Sequence, residues 1–260
     1  MRLTCTAIAL ACLALAYPAL AQDLQRASPE SVGLSSAGLE RATAALQAHI
    51  DAGDVAGVVA AVARDGKLVY FEALGQRDLQ TRDPMPQDAL FRLYSMTRSI
   101  TSTAVMILWE EGKFQLDDPI ATYLPQFADQ RVFVDAGAPD MSQTRARRGD
   151  ITVRHLLTHT SGLSYRFLAP PLLAARYIDA NITDGLSQAD GTIGDMVDRL
   201  AALPLLHQPG ERFTYSLGVD VLGRVIEVVT GQTLAEYMAA EIFDPLGMVD
   251  TAFYKSPSES

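Results

Sequence analysis

The pattern of hydrophobic positions changes from that of strands to that of helices near residue 90. Two apolar runs, 55–63 and 68–74, flank Asp65-Gly66, and an Asp-Gly pair between such runs predicts a β-hairpin. Ahead of the hairpin, residues 36–50 carry apolar side chains at helical spacing and predict a helix capped by Ser35 or Ser36. After residue 95 the helical period dominates, and it predicts a long helix ending at Gly112 and further helices over 153–158, 192–202, 219–229 and 233–243.

This order, one hairpin followed by helices, is unbalanced. Two strands alone form a marginal sheet, because a hairpin needs further strands or helices to cover its faces and edges. Two explanations remain open at this point. Either the sheet has strands that the pattern does not reveal, or the chain lacks some of them.

The first 21 residues have the features of a signal peptide. Arg2 provides a positive charge, residues 3–17 are almost wholly apolar, and Ala19-Leu20-Ala21 places small residues where a signal peptidase cleaves. The apolar run is too short for a stable membrane span. We therefore predict an exported protein, periplasmic or secreted, whose mature part is residues 22–260 and has no stable membrane span. Both cysteines, Cys5 and Cys12, lie in the signal segment, so no disulfide is expected.

Composition and charge exclude several functions. The chain has 260 residues, 48% of them hydrophobic, which is ordinary globular composition and excludes disorder. Lys and Arg number 21 against 31 Asp and Glu, a net charge of -10, so nucleic-acid binding is not expected. The sequence contains no P-loop and no G-x-G-x-x-G, and no cofactor is predicted. It does not indicate an oligomeric state.

His155 and His159 stand four residues apart on a predicted helix, which is the spacing of paired zinc ligands. However, Leu156 stands where a zinc-site glutamate would follow the first histidine, and no acidic third ligand is evident nearby. A structural histidine pair is the favoured interpretation, and no metal is predicted.

Two segments can carry nucleophilic chemistry. Ser95 is predicted in the first turn of the long helix, where free backbone N–H groups and the helix dipole favour negative charge. Residues i and i+3 lie on the same face of a helix, so side chain 98 is expected to lie beside Ser95. Tyr215 precedes an apolar helix and can exchange a proton if a cation lies near. In isolation each has a plainer reading, Ser95 as a helix cap and Tyr215 as a packing residue.

Several spaced segments together resemble the serine β-lactamase-related hydrolases, which include class C β-lactamases, D-alanyl-D-alanine carboxypeptidases and penicillin-binding-protein-like esterases. The matching segments occur in the family's order over about residues 28–254: 95–102, 110–119, 150–163, 208–210, 215–216, 221–223 and 244–248.

This resemblance implies an α+β fold of the β-lactamase/transpeptidase-like type. Such a fold has a mixed antiparallel sheet with flanking helices and an all-helical lobe, which would lie within about residues 95–245. The resemblance also implies that Ser95 is the acylated nucleophile and that Tyr215 is the tyrosine of the second motif. The substrate would be a small-molecule or peptide-like acyl compound, and the reaction would need no cofactor.

Two departures from the family pattern matter. The family's S-x-x-K has lysine where this sequence has Arg98, and a guanidinium cannot act as a base. Arg98 is therefore expected to orient Ser95 and to assist Tyr215 electrostatically, which leaves Tyr215 as the only base. The third motif, K-T-G or H-x-G, does not follow Tyr215, so we expect a chain truncated at its C-terminus that lacks the remaining strands of the sheet.

Two functions stay open. The first is an exported serine hydrolase that acts through a serine acyl-enzyme on an amide, β-lactam or ester. The second is a catalytically impaired or non-catalytic relative, either a binder of peptidoglycan-like ligands or a truncated gene product.

Overall fold

The computed structural model describes residues 24–135, 143–185 and 191–253, so the proposed signal peptide at 1–21 lies outside the described residues. The strands are β1 (Gln25–Arg26), β2 (Gly57–Arg64), β3 (Lys67–Gly75), β4 (Val132–Phe133) and β5 (Thr144–Arg145). The α-helices are α1 (Ser36–Asp51), α2 (Thr97–Glu110), α3 (Val153–Leu157), α4 (Pro171–Asp179), α5 (Ile193–Ala201), α6 (Gly218–Thr230) and α7 (Leu234–Met238). A π-helical turn (Ala239–Phe243) follows α7 directly.

The main sheet of the described residues has three strands in the order β1-β3-β2. The predicted hairpin is confirmed: β2 and β3 pair antiparallel, with Gly57 opposite Gly75 and Arg64 opposite Lys67. Its turn needs two left-handed residues, which Asp65 and Gly66 supply with φ values of 53° and 69°. β1 pairs parallel with β3, so the sheet is mixed.

α6 lies at the centre of the helical part of the molecule. Its apolar positions, predicted from their 3.6-residue period, are buried, including Leu222, Val225 and Ile226. α2, α3, α5 and α7 all pack against it. Gly218 permits the close approach of α3, because a Cβ there would lie 2.9 Å from the carbonyl oxygen of Leu156.

The sheet is covered much less completely than the helices. α1 packs on β3, and the hydroxyls of Thr43 and Tyr70 are joined by a 2.8 Å hydrogen bond. No side chain of α1, β2 or β3 is fully buried, whereas the buried cluster runs from α2 to the π-helical turn. The hydrophobic core of the described residues therefore lies in the helical part.

Threonine caps fix where several short helices begin. Thr152, Thr192 and Thr233 each accept a hydrogen bond from a backbone N–H in the first turn, in reciprocal capping boxes. The helices predicted to begin at 192 and 233 are thereby confirmed. Within the described ranges, no helix is long and apolar enough to cross a lipid bilayer.

Candidate active site

Ser95 lies in a single 3₁₀ turn, Tyr94–Met96, which leads directly into α2. Its side chain is exposed. Tyr94 has a φ of 46°, a left-handed conformation that is unusual outside glycine and that sets the turn carrying the serine. The starts of the 3₁₀ turn and of α2 have no side-chain cap, so Ser95 is not the plain helix cap that its position alone would suggest.

The Tyr215 hydroxyl donates a hydrogen bond to Ser95 Oγ over 2.7 Å, although the two residues are 120 positions apart in the chain. The packing of α2 on α6 brings these segments together. His159 holds both neighbours of the tyrosine: its carbonyl oxygen accepts from the Thr214 amide at 2.8 Å, and its Nδ1 accepts from the Ser216 amide at 3.3 Å. The two predicted site residues therefore meet in a fixed arrangement.

The Arg98 guanidinium lies on the inner side of the same site. Its Nη1 donates to the carbonyl oxygen of Ser216 at 3.1 Å, and its Nη2 donates to Asp220 Oδ2 at 3.5 Å. Its Cζ is 4.9 Å from the ring centroid of Tyr215 and 5.1 Å from that of Tyr165. The i+3 rule predicted that this side chain would contact Ser95. Its hydrogen bonds instead go to Ser216 and Asp220, on the opposite side of the site.

A fixed positive charge at this position has one clear chemical consequence. Arginine keeps its proton at any pH that a protein tolerates, so Arg98 cannot take the proton of Ser95. Its charge can, however, stabilise negative charge that develops on the phenolic oxygen of Tyr215.

Asp220 and Tyr165 complete the surroundings of the guanidinium and were missed by the sequence analysis. The Tyr165 hydroxyl donates to Asp220 Oδ2 at 3.5 Å. Although 35% of the Asp220 side chain is exposed, burial of its carboxyl group raises the pKa to about 6, and the neighbouring Arg98 charge counteracts part of that rise. Asp220 stands in the first turn of α6, where an acidic residue is ordinarily explained by the helix dipole.

The histidines of this region make packing and hydrogen-bond contacts with neighbouring residues. Burial lowers the pKa of His155, His159 and His207, and the Arg98 charge lowers that of His159 further. His155 Nδ1 accepts from the Thr152 amide in a capping box, and the His159 ring packs on Tyr215 with centroids 4.8 Å apart. Among the described residues, no group of three potential ligands from His, Cys, Asp and Glu converges.

The chain is similar to several known proteins. A family model described as Beta-lactamase matches residues 42–260. Esterase EstB of Burkholderia gladioli is 39% identical over 203 residues, which cover 78% of this chain and 48% of that protein. Lovastatin esterase of Penicillium rubens is 38% identical over 214 residues, which cover 80% of this chain and 51% of that protein.

A solved structure resembles the chain over most of its length. EstCE1, described as a hydrolase with promiscuous acyltransferase activity, matches with a TM-score of 0.74 and 34% identity, over 85% of this chain and 54% of that one. The chain therefore spans about half the length of these relatives.

Proposed function

The chain belongs to the beta-lactamase family, and on this premise we propose that it is an exported serine hydrolase that forms an acyl-enzyme at Ser95. This family comprises serine hydrolases and acyltransferases, esterases among them, that act on small acyl substrates. The observation that carries the proposal is the 2.7 Å hydrogen bond between the Ser95 and Tyr215 hydroxyls. A nucleophile within hydrogen-bond reach of a proton acceptor is the arrangement that covalent catalysis requires.

The proposed reaction runs in two steps. In the structure the Tyr215 hydroxyl is the donor, so its proton must first pass to solvent. The resulting phenolate oxygen accepts the proton of Ser95 while Oγ attacks the carbonyl carbon of the substrate. Collapse of the tetrahedral intermediate expels the alcohol, which takes the proton back from Tyr215. Water then attacks the acyl-serine, the phenolate of Tyr215 takes its proton and passes it to Ser95 Oγ, and the acid is released. An alcohol in place of water would give acyl transfer by the same route. The positive charge of Arg98 stabilises the Tyr215 phenolate, and Arg98 itself accepts no proton.

Esters are the substrate class that the relatives favour. The sequence left amides, β-lactams and esters open, and two of the relatives carry the name esterase. We propose an ester of a small acyl group as the substrate.

A second candidate, a catalytically impaired relative, is favoured by one observation. Arg98 occupies the position of the family lysine and is held by Ser216 and Asp220, so the site has a fixed cation where the family has a second base. Such a protein would bind an acyl compound without turning it over.

Intact-mass spectrometry after incubation with p-nitrophenyl butyrate separates these candidates. We expect a butyryl adduct on the unmodified chain, none on Ser95→Ala, and acylation slowed by roughly 10²- to 10⁴-fold in Tyr215→Phe. Ser99→Ala is the matched control, because Ser99 is an exposed serine four residues after Ser95, in the first turn of α2. An adduct that persists in Ser95→Ala would show that the wrong nucleophile has been named. Binding without any adduct would establish the second candidate.

Export is a separate part of the proposal and is supported by the sequence of residues 1–21. N-terminal sequencing of the protein recovered from the periplasm or medium of a bacterial host is expected to begin at Gln22. Recovery only inside the cell, with Met1 retained, would contradict it.

A further inference from the structure

Asp220 holds the cation of the candidate site in place. We infer that Asp220 is a positioning residue that fixes the Arg98 guanidinium against the ring of Tyr215. The catalytic consequence of this role rests on the proposed function, since it matters to acylation only if Ser95 is the nucleophile.

The guanidinium has few polar contacts for a group that is mostly buried. Its side chain is 16% exposed, and its hydrogen-bond acceptors are the Ser216 carbonyl oxygen at 3.1 Å and Asp220 Oδ2 at 3.5 Å. Its Nε is buried and has no hydrogen-bond partner among the described residues. Without the Asp220 carboxylate, one polar contact and two aromatic faces would remain to orient a long and flexible side chain.

Asp220 is well placed to fix a flexible partner because its own support is rigid. It stands in the first turn of α6, the helix at the centre of the core, between Val219 and Val221, which are both buried. Its short side chain has little conformational freedom, whereas arginine has among the most of any residue. The pair also joins α2, which follows Ser95, to α6, which follows Tyr215, and so it fixes the cation relative to both reacting hydroxyls.

Few charged or titratable groups face Asp220 among the described residues, and they determine its protonation state together with its burial. Arg98 faces it from α2, and the Tyr165 hydroxyl faces it from the segment before α4. On α6 itself the next cation, Arg224, pairs with Glu227. With a pKa raised by burial to about 6, Asp220 is ionised at neutral pH and becomes neutral as the pH falls through that value, while Arg98 stays charged.

Kinetics of three variants of the full chain test the inference. For p-nitrophenyl butyrate we expect Asp220→Asn to lower kcat about tenfold with little change in KM, because a charge-assisted contact is lost. The unmodified chain should show an inflection in its pH–rate profile near pH 6 that is absent from Asp220→Asn. Asp220→Glu should restore part of the rate.

The matched control is Asp117→Asn. Asp117 pairs with Arg154 at 2.7 and 3.1 Å, a better ion pair by geometry, beyond the far end of α2. A loss of rate in Asp117→Asn equal to that in Asp220→Asn would overturn the inference, because it would mark a general effect of breaking ion pairs. An inflection that persists unchanged in Asp220→Asn would also overturn it.

A measurement independent of activity separates this inference from the proposed function. In a carbon-13 NMR titration of the carboxyl groups, the Asp220 signal should move to a higher midpoint in Arg98→Gln, because the guanidinium lowers its pKa. If the unmodified chain is never acylated, the proposed function fails and this titration alone decides whether the pair exists. A midpoint that Arg98→Gln leaves unchanged would overturn the inference even in an active enzyme.

Discussion

Replacing Arg98 by lysine should speed the acylation of Ser95, because lysine can lose its proton and arginine cannot. The magnitude follows from two opposing effects. The Arg98 Cζ lies 4.9 Å from the Tyr215 ring centroid. At about 5 Å and an effective dielectric constant of about 20, a unit positive charge stabilises a unit negative charge by roughly 3 kcal/mol.

That stabilisation corresponds to about a 10²-fold effect on rate, and a neutral lysine would forgo it. A positioned general base contributes roughly 10²- to 10⁴-fold in return. The net effect of Arg98→Lys therefore lies between no gain, where the two effects cancel, and a gain of about 10²-fold. The gain should increase with pH, because a larger fraction of the lysine is then deprotonated.

Single-turnover acylation by p-nitrophenyl butyrate, followed by nitrophenolate release and checked by intact mass, measures this gain. Arg98→Met removes the charge without supplying a base, so it should acylate about 10²-fold more slowly than the unmodified chain. The double variant Ser95→Ala with Arg98→Lys should form no adduct. If the rate of Arg98→Lys relative to that of the unmodified chain did not rise from neutral to alkaline pH, the lysine would not be acting as a base, and the reasoning would be refuted.

The remaining predictions concern stability and protonation. Backbone amides of β2 and β3 should exchange hydrogen faster than those of α6, because their side chains are incompletely buried; equal protection in a native-state exchange experiment would contradict this. In urea unfolding, Gly162→Ala should lower the free energy of unfolding by about 3 kcal/mol, since φ there is 90° and a Cβ would overlap the carbonyl oxygen of His207. Gly53→Ala should lower it by less, because Gly53 has a similar φ of 77° but open space around it. In proton NMR titrations His155, His159 and His207 should each show a pKa below 6.5, and a midpoint above 6.5 would contradict this. The unfolded chain then binds the proton more tightly than the folded one, so each histidine lowers the free energy of unfolding as the pH falls below 6.5.

Local patterns predicted much of the fold. The hairpin around Asp65-Gly66 and the helix α6 follow from short-range signals, and both are confirmed. The α+β fold of the β-lactamase/transpeptidase-like type, implied by spaced motifs, is confirmed by the family match and by the solved structure that resembles the chain. α4 was missed because its first residue, Pro171, follows Pro170, and such a pair is typical of a loop. Leu173 and Tyr177 of this helix are nevertheless buried.

The candidate site was less accessible to sequence reasoning. The i+3 rule directed Arg98 back to Ser95, but Ser95 precedes the first residue of α2, where the helical repeat that the rule assumes has not yet begun. Asp220 gave no signal of its own, because an acidic residue in the first turn of a helix has an ordinary explanation. Tyr165 could not be distinguished from other buried aromatic residues by its sequence context, although its ring contacts the Arg98 guanidinium.

The separation of Ser95 and Tyr215 along the chain also affects how the protein is made. The two residues are 120 positions apart, and α2 obtains its packing partner only when α6 exists. At a synthesis rate of about 5 to 20 residues per second, the apolar face of α2 waits roughly 6 to 24 s for that partner. Closure of so long a loop precedes any stabilising contact between the two helices. During that interval the nascent chain exposes the apolar side chains of α2 that later pack on α6 beneath the candidate site. We expect a chaperone that binds exposed apolar segments to act on the chain at this stage.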